Sequence, residues 1–163
     1  MKEEEIRPQK IFNEYLRLAQ EDTVRFFADL QREKGPCPAC GAVGEFAFTK
    51  YGFDYETCPH CQTLFVNPRP VLEAFARYYQ ESPSSEFWAT TFYKKTAEAR
   101  RDKLWKPKAK MVRDALIRYD ATKHSIIDIG GGYGLFAEEM QGFSDQPITI
   151  IEPSPHLAKV CRE

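Results

Sequence analysis

The chain has 163 residues, 42% of them apolar, and its 23 Lys and Arg against 24 Asp and Glu leave a formal net charge of −1. A near-neutral chain lacks the global positive field that holds nucleic acid non-specifically, and no apolar run approaches the ~18 residues a membrane span needs. The opening Met1-Lys2-Glu3-Glu4-Glu5 is acidic and lacks the basic start and apolar stretch of a secretory signal, so reduced cysteines and a cytoplasmic location are expected.

Residues 1–34 read as an N-terminal helical segment. From about Lys10 to Lys34 the apolar residues Phe12, Tyr15, Leu16, Ala19, Phe26, Phe27 and Leu30 recur at helical spacing, which predicts an amphipathic helix acting as a core or cap element. Gly35 and Pro36 are expected to end it.

Residues 35–70 carry two C-x-x-C knuckles, Cys37-Pro38-Ala39-Cys40 and Cys58-Pro59-His60-Cys61. Each knuckle places two thiolates on one tight turn, and two knuckles brought together supply the tetrahedral four-sulfur shell that zinc prefers in closed structural sites. Gly41 suits the positive φ such a knuckle often needs. Glu45 to Lys50 and Asp54 to Thr57 are predicted strands around Gly52, with Leu64 to Val66 as a third, which together make a zinc ribbon. An all-cysteine shell leaves no open position for a catalytic water, so the metal serves as a staple. A disulfide framework or a redox C-x-x-C is the rival reading; His60, between two better ligands, is assigned a surface or hydrogen-bonding role. Asn67-Pro68-Arg69-Pro70 closes the ribbon with an extended exit.

Residues 71–124 return to a helical pattern. Ser82-Pro83 or Ser84 offers a helix start, Pro107 a restart, and Met111, Val112, Ala115, Leu116 and Tyr119 form an i, i+4 stripe. The nine basic residues Lys94, Lys95, Arg100, Arg101, Lys103, Lys106, Lys108, Lys110 and Arg113 against Glu98 and Asp102, nine minus two, give this stretch a local charge of +7. A solvated helix face explains them better than a nucleic-acid partner. The aromatics are assigned mainly to the core; Tyr78, Tyr79 and Trp88 are candidates to cover a ligand.

From Ser125 the pattern changes. Apolar Ser125 to Ile127 leads into Asp128-Ile129-Gly130-Gly131-Gly132-Tyr133-Gly134, and Ile148 to Ile151 reads as a second buried strand ending in Glu152. Four of the nine glycines lie in this one window, so the backbone must turn tightly and leave room for close approach. Leu135 holds the place where a dinucleotide fingerprint would need its third glycine, which disfavours a nicotinamide-dependent oxidoreductase. An ordinary strand-to-helix turn with a solvated Glu152 is the plain alternative.

The D-x-G-x-G-x-G spacing resembles the first motif of class I S-adenosylmethionine-dependent methyltransferases, and the cysteine layout, the run to Pro70 and Glu152-Pro153-Ser154 are similar to members that carry a zinc ribbon. The resemblance implies an α/β fold: an N-terminal helix, the ribbon, a helical region, and over residues 125–163 the start of a Rossmann-like sheet. It implies two bound groups, a structural zinc on Cys37, Cys40, Cys58 and Cys61, and S-adenosylmethionine on Asp128, Gly130, Gly132, Gly134 and Glu152. Asp128 then helps orient the methionine part and Glu152 the ribose. It further implies a small-molecule methyl acceptor, a sugar or lipid included.

Family members have a seven-stranded sheet, of which two strands are found here. The chain is therefore expected to be an N-terminal portion, inactive alone, with self-association through the Ile126 to Ile129 and Ile148 to Ile151 strands. No catalytic residue is named. A second reading takes the chain as a zinc-ribbon interaction module with a vestigial cofactor loop, meeting protein or nucleic acid through Lys94 to Arg113. Cys161 is expected to be a small buried helix residue.

Overall fold

In the computed structural model, which describes residues 2–162, the chain is a mixture of helices and small sheets in two compact units: Arg17–Tyr78, and Met1–Leu16 together with Tyr79–Glu163. The elements in chain order begin with α1 (Glu3–Ile6), whose all-acidic first turn opposes the positive end of the helix, and α2 (Gln9–Phe27). The helix predicted to reach Lys34 stops at Phe27. Residues Arg32–Glu33 instead form a short strand, β1, paired antiparallel with β5 (Arg69–Pro70). Ring packing decides this: Phe27 turns inward against Phe53, Phe75 and Tyr78, and a continued helix would carry Leu30 away from that cluster.

The ribbon is a three-stranded antiparallel sheet in the order β2 (Glu45–Lys50), β3 (Phe53–Thr57), β4 (Leu64–Val66). Tyr51 and Gly52, at φ 52° and 76°, make the two-residue β2–β3 connection in the left-handed backbone that matches strand twist. The inner face is small, Cys37, Cys58 and Phe65 with Ala42 against them, while Phe46 and Phe48 on the edge strand β2 are exposed. A ribbon with so little apolar cover depends on its cysteines. In the same unit Phe26, Phe27 and Ala74 form the larger core, Ala74 coming from α3 (Leu72–Glu81).

In the other unit a helical run extends from Pro83 to Arg118. It comprises α4 (Pro83–Phe87), a π-helical stretch (Trp88–Tyr93), α5 (Lys94–Arg100), a second π-helical stretch (Arg101–Trp105) and α6 (Lys106–Arg118). Of the two predicted starts, Ser82-Pro83 is the one used and not Ser84: the Ser82 hydroxyl accepts from the Ser85 N–H at 3.2 Å, and Pro83 opens the first turn where no donor is missed. Pro107 lies inside a continuous helix, in the first turn of α6. Of the predicted stripe only Val112 and Leu116 are partly covered, while Met111 and Tyr119 are 65% and 76% exposed. The covered side of α6 is instead set by the fully buried Ala109, whose small side chain permits close approach.

The chain closes with β6 (Ile126–Ile129), α7 (Leu135–Gln141), β7 (Ile148–Ile151) and α8 (Pro155–Val160), in which β6 and β7 pair parallel with Asp128 opposite Ile150. Strand periodicity sorts the residues. Ile126, Asp128, Ile148 and Ile150 are half-covered, whereas Ile127, Ile129 and Ile151 on the other face are 59%, 80% and 51% exposed. The core of this unit gathers Ala89, Tyr93, Leu135 and Leu157, bordered by Trp88, Trp105 and Tyr133. No helix is long and apolar enough to cross a membrane among the described residues.

Candidate metal centre and glycine-loop site

The two cysteine knuckles have the same local geometry. In the first, the Gly41 N–H donates to the Cys37 carbonyl (2.9 Å) and the Cys37 N–H to the Ala42 carbonyl (2.8 Å); in the second, Gln62 donates to Cys58 (2.9 Å) and Cys58 to Thr63 (2.9 Å). The residue after each second cysteine has positive φ, 78° at Gly41 and 62° at Gln62. Glycine takes that conformation freely, whereas Gln62 bears a side-chain penalty that the paired knuckle geometry must offset.

These turns bring Cys37, Cys40, Cys58 and Cys61 together with all four sulfurs within 4.8 Å of one another. Cys37 and Cys61 Sγ are 3.6 Å apart, and Cys40 and Cys58 Sγ 3.5 Å. A disulfide requires about 2.05 Å, so the four are free thiols. Tetrahedral bonds of about 2.3 Å to zinc separate the sulfurs by roughly 3.8 Å, close to the spacing found. Crowded sulfurs share protons unevenly. The Thr63 hydroxyl and N–H, with help from Cys40, hold Cys61 down to about 6. At Cys40 the Ala42 N–H pulls downward, but the Cys61 and Cys58 sulfurs and burial outweigh it and push the thiol up to about 12. A divalent cation replaces those protons and removes the conflict. Four cysteines so placed can hold a metal ion. His60 is exposed and outside the four-sulfur set, as assigned from its position in the knuckle.

The glycine loop is in the other unit. Gly130, Gly132 and Gly134 have φ of 75°, 60° and 76°, which are conformations that disfavour any side chain. Gly131 is restricted differently: a Cβ there would lie 2.6 Å from Ile150 Cγ2 and 3.0 Å from Asp128 Oδ2. The carboxylate of Glu152 ties the loop to the end of β7, Oε2 accepting from the Gly132 N–H (2.8 Å) and Oε1 from the Ser154 N–H (2.9 Å). Each oxygen keeps a lone pair for another donor. Glu152 also lines a surface cavity of about 290 Å³ with Ile148, Ile150, Ala158, Cys161 and Arg162.

Asp128 Oδ2 is buried and has no hydrogen-bond partner among the described residues. Burial, and then the charge of Glu152, push the Asp128 carboxyl above its ordinary value. A native acceptor left in this state is uncommon and calls for a donor or cation. The five residues assigned to the cofactor thus lie at one end of the β6–β7 pair: Asp128 on β6, the three glycines in the loop from β6 to α7, and Glu152 just past β7.

The chain matches no protein-family model, no curated protein and no solved structure.

Further residues at this loop do not declare themselves in the linear pattern. Tyr93, 7% exposed, stacks parallel on Tyr133 with ring centroids 5.3 Å apart, and its hydroxyl lies 3.0 Å from where a Cβ at Gly132 would be. Of the three aromatics picked out from the sequence, Trp88 joins the core beside Tyr93, Tyr78 packs on Phe26 and Phe27 in the ribbon unit, and Tyr79 is 38% exposed. Helical spacing alone does not show that a π-helical stretch turns Tyr93, instead of those three, toward the loop. Cys161 is half-buried and donates to the Gly132 carbonyl at 3.3 Å, and burial followed by Glu152 and Asp128 raises its thiol. Ser154, 1% exposed, links Glu152 to the Ser85 hydroxyl at 3.4 Å.

Proposed function

We propose that this chain is the zinc-stabilised cofactor-binding part of a class I S-adenosylmethionine-dependent methyltransferase acting on a small molecule. The observation that carries the reading is the buried, unpartnered Asp128 Oδ2 beneath a loop of three positive-φ glycines that Glu152 clasps. An orphaned carboxylate suits a ligand that brings its own positive charge and donors, as the amino acid end of S-adenosylmethionine does. Gly130 supports close approach: a Cβ there would meet nothing within 4 Å, so the space over it is open.

In this reading Asp128 orients the methionine part, the open lone pairs of Glu152 take the ribose hydroxyls, Gly130 lets backbone come within contact distance, and Gly132 and Gly134 supply the left-handed turns that shape the loop. S-adenosylmethionine supplies an electrophilic methyl group; the protein's task is positioning the acceptor and excluding water. The described residues contain two strands of the parallel sheet that such an enzyme needs, and no base aimed at an acceptor is assigned. Zinc on Cys37, Cys40, Cys58 and Cys61 is a staple for the ribbon, since four sulfurs leave no position for water.

The alternative of an interaction module draws support from exposed Phe46 and Phe48 on β2. Four of the nine basic residues of its proposed contact stretch are paired within the chain. Arg101 bridges Glu138 and Glu139, Lys103 pairs with Glu5, Lys106 with Asp102 and Arg113 with Asp114, which weakens a nucleic-acid footprint.

Calorimetry with S-adenosylmethionine tests the proposal. Saturable binding is expected; Glu152→Gln should weaken it roughly 10- to 150-fold, the equivalent of ~1.5–3 kcal/mol for bonds to a charged acceptor, and Gly132→Val should abolish it. Absence of saturable binding, or unchanged affinity in both variants, would refute the assignment.

A further inference from the structure

The ribbon unit holds a second polar site, unrelated to the metal and to the glycine loop. Glu56 lies on the inner face of the ribbon sheet opposite Phe65, in the one strand with neighbours on both sides. It is 8% exposed. Its Oε2 accepts from Asn67 Nδ2 at 2.9 Å, and Asn67, 4% exposed, is fixed in turn by the Gly35 N–H donating to its Oδ1 at 3.0 Å. The other Glu56 oxygen has no partner, and no ion pair reaches the carboxylate among the described residues. Lys34 borders the same space and the Arg69 guanidinium lies over Gly35, yet neither pairs with it.

A buried carboxylate is normally paired, because leaving water costs it several kcal/mol that only an opposite charge or several donors restore. Here the chain leaves a surface cavity in front of it. Lys34, Gly35, Pro36, Val43, Gly44, Glu56 and Asn67 enclose about 420 Å³, a size typical of small-ligand sites. The walls at Pro36 and Val43 are apolar and the floor is an acid beside an amide. Gly44 is held to glycine by this floor, since a Cβ there would lie 2.5 Å from Glu56 Oε2 and 2.6 Å from Phe65 Cζ. The position therefore keeps the carboxylate seated under the opening.

We infer that this cavity binds a primary alkylammonium group, its carbon stem against Pro36 and Val43 and its charge on Glu56. An ammonium is a compact donor of three hydrogens. It can reach the free Glu56 oxygen and the second lone pair of Asn67 Oδ1, whereas a flat guanidinium needs two open carboxylate oxygens for its paired geometry. The same chemistry comes from a free amine or from a lysine side chain of a partner protein.

NMR titration of the metal-loaded full chain with n-butylammonium tests this, with n-butanol as the neutral isostere. The expected result is saturable movement of the Val43, Gly44 and Asn67 signals with the amine, none with the alcohol, and at least tenfold weaker binding in Glu56→Gln. That variant retains an acceptor for Asn67 and should melt close to the parent. Val43→Trp, at a position 81% exposed, fills the opening without touching the core and should block binding, which keeps the test valid if Glu56→Gln folds poorly. A capped Gly-Lys-Gly peptide binding more tightly than butylammonium assigns the site to a protein side chain, and the reverse order assigns it to a small amine. No saturable shift, equal response to the alcohol, or unaltered binding in both variants would overturn the inference.

Discussion

Replacing Cys58 or Cys40 by serine separates a metal centre from a merely packed sulfur cluster, because the two side chains differ in burial while sharing one site. Cys58 is fully buried and Cys40 is exposed. If packing were the reason for the cluster, Cys58→Ser would destabilise the ribbon and Cys40→Ser would do little. If a metal is the reason, the two should fail alike. Structural zinc contributes about 10–16 kcal/mol of binding free energy; divided over four thiolates this is roughly 2.5–4 kcal/mol each, or about 70- to 900-fold in affinity at 1.36 kcal/mol per tenfold step. Competition against a chromophoric chelator measures that affinity, and thermal melting of the ribbon in excess metal reports the linked loss of stability. Cys161→Ser is the control, since a serine hydroxyl can still donate to the Gly132 carbonyl that Cys161 now contacts. A Cys40→Ser protein that holds zinc within threefold of the parent, or a Cys161→Ser protein that loses as much as Cys58→Ser, would refute the reasoning.

Asp128→Asn should stabilise the glycine-loop unit at pH 7 while lowering its affinity for S-adenosylmethionine. The folded carboxyl titrates above its ordinary value of 3.8, so the stability it contributes is present below that value and lost as pH rises through the folded one; urea midpoints at pH 7 and pH 4 should show the variant's advantage shrinking on acidification, and no advantage at pH 7 would contradict it. Gly132→Ala is expected to cost about 1–2 kcal/mol for the left-handed backbone and a further fraction for contact with the Tyr93 hydroxyl, which Tyr93→Phe in the double variant should return; a double-mutant cycle with no coupling would show that the two do not touch. Ile129→Glu should abolish any self-association through the bare strand face in sedimentation velocity, and a parent chain monomeric across a concentration series would remove that proposal.

The legible parts of this chain were those whose signal is local. Both C-x-x-C knuckles, the strands around Gly52, the Ser82-Pro83 cap and the two isoleucine-rich strands are stated by residues within a few positions of one another, and each element is found, although Ile148 to Ile151, read as buried, leaves Ile151 51% exposed because only one face of the strand is covered. The misread parts depended on contacts distant in sequence. Helix α2 ended early because Phe27 meets Phe53 and Phe75. Met111 and Tyr119 follow a helical period, yet the covered side of α6 is the one that carries Ala109. At the glycine loop the backbone pattern was visible, whereas Tyr93 was not, since its place depends on an irregular turn that carries no sequence signature. Glu56 gave no signal either: an acidic residue in an alternating strand reads as solvent-facing until the partner strands show otherwise.

The π-helical stretch at Trp88–Tyr93 has a consequence for how this chain tolerates length changes. A wide turn is in effect an α-helix carrying one surplus residue, and each residue advances a helix by about 100°. Deleting a single residue between Trp88 and Tyr93 would therefore relax the backbone into an ordinary helix and, in the same step, swing everything on one side of the deletion around the axis. Tyr93 would leave Gly132, or Phe12 and Tyr15 would lose their ring partners Phe92 and Trp88. Among changes to this helix, a shortening that improves its hydrogen bonding is thus the one most disruptive to the loop, and substitutions that merely alter its surface should be accepted freely.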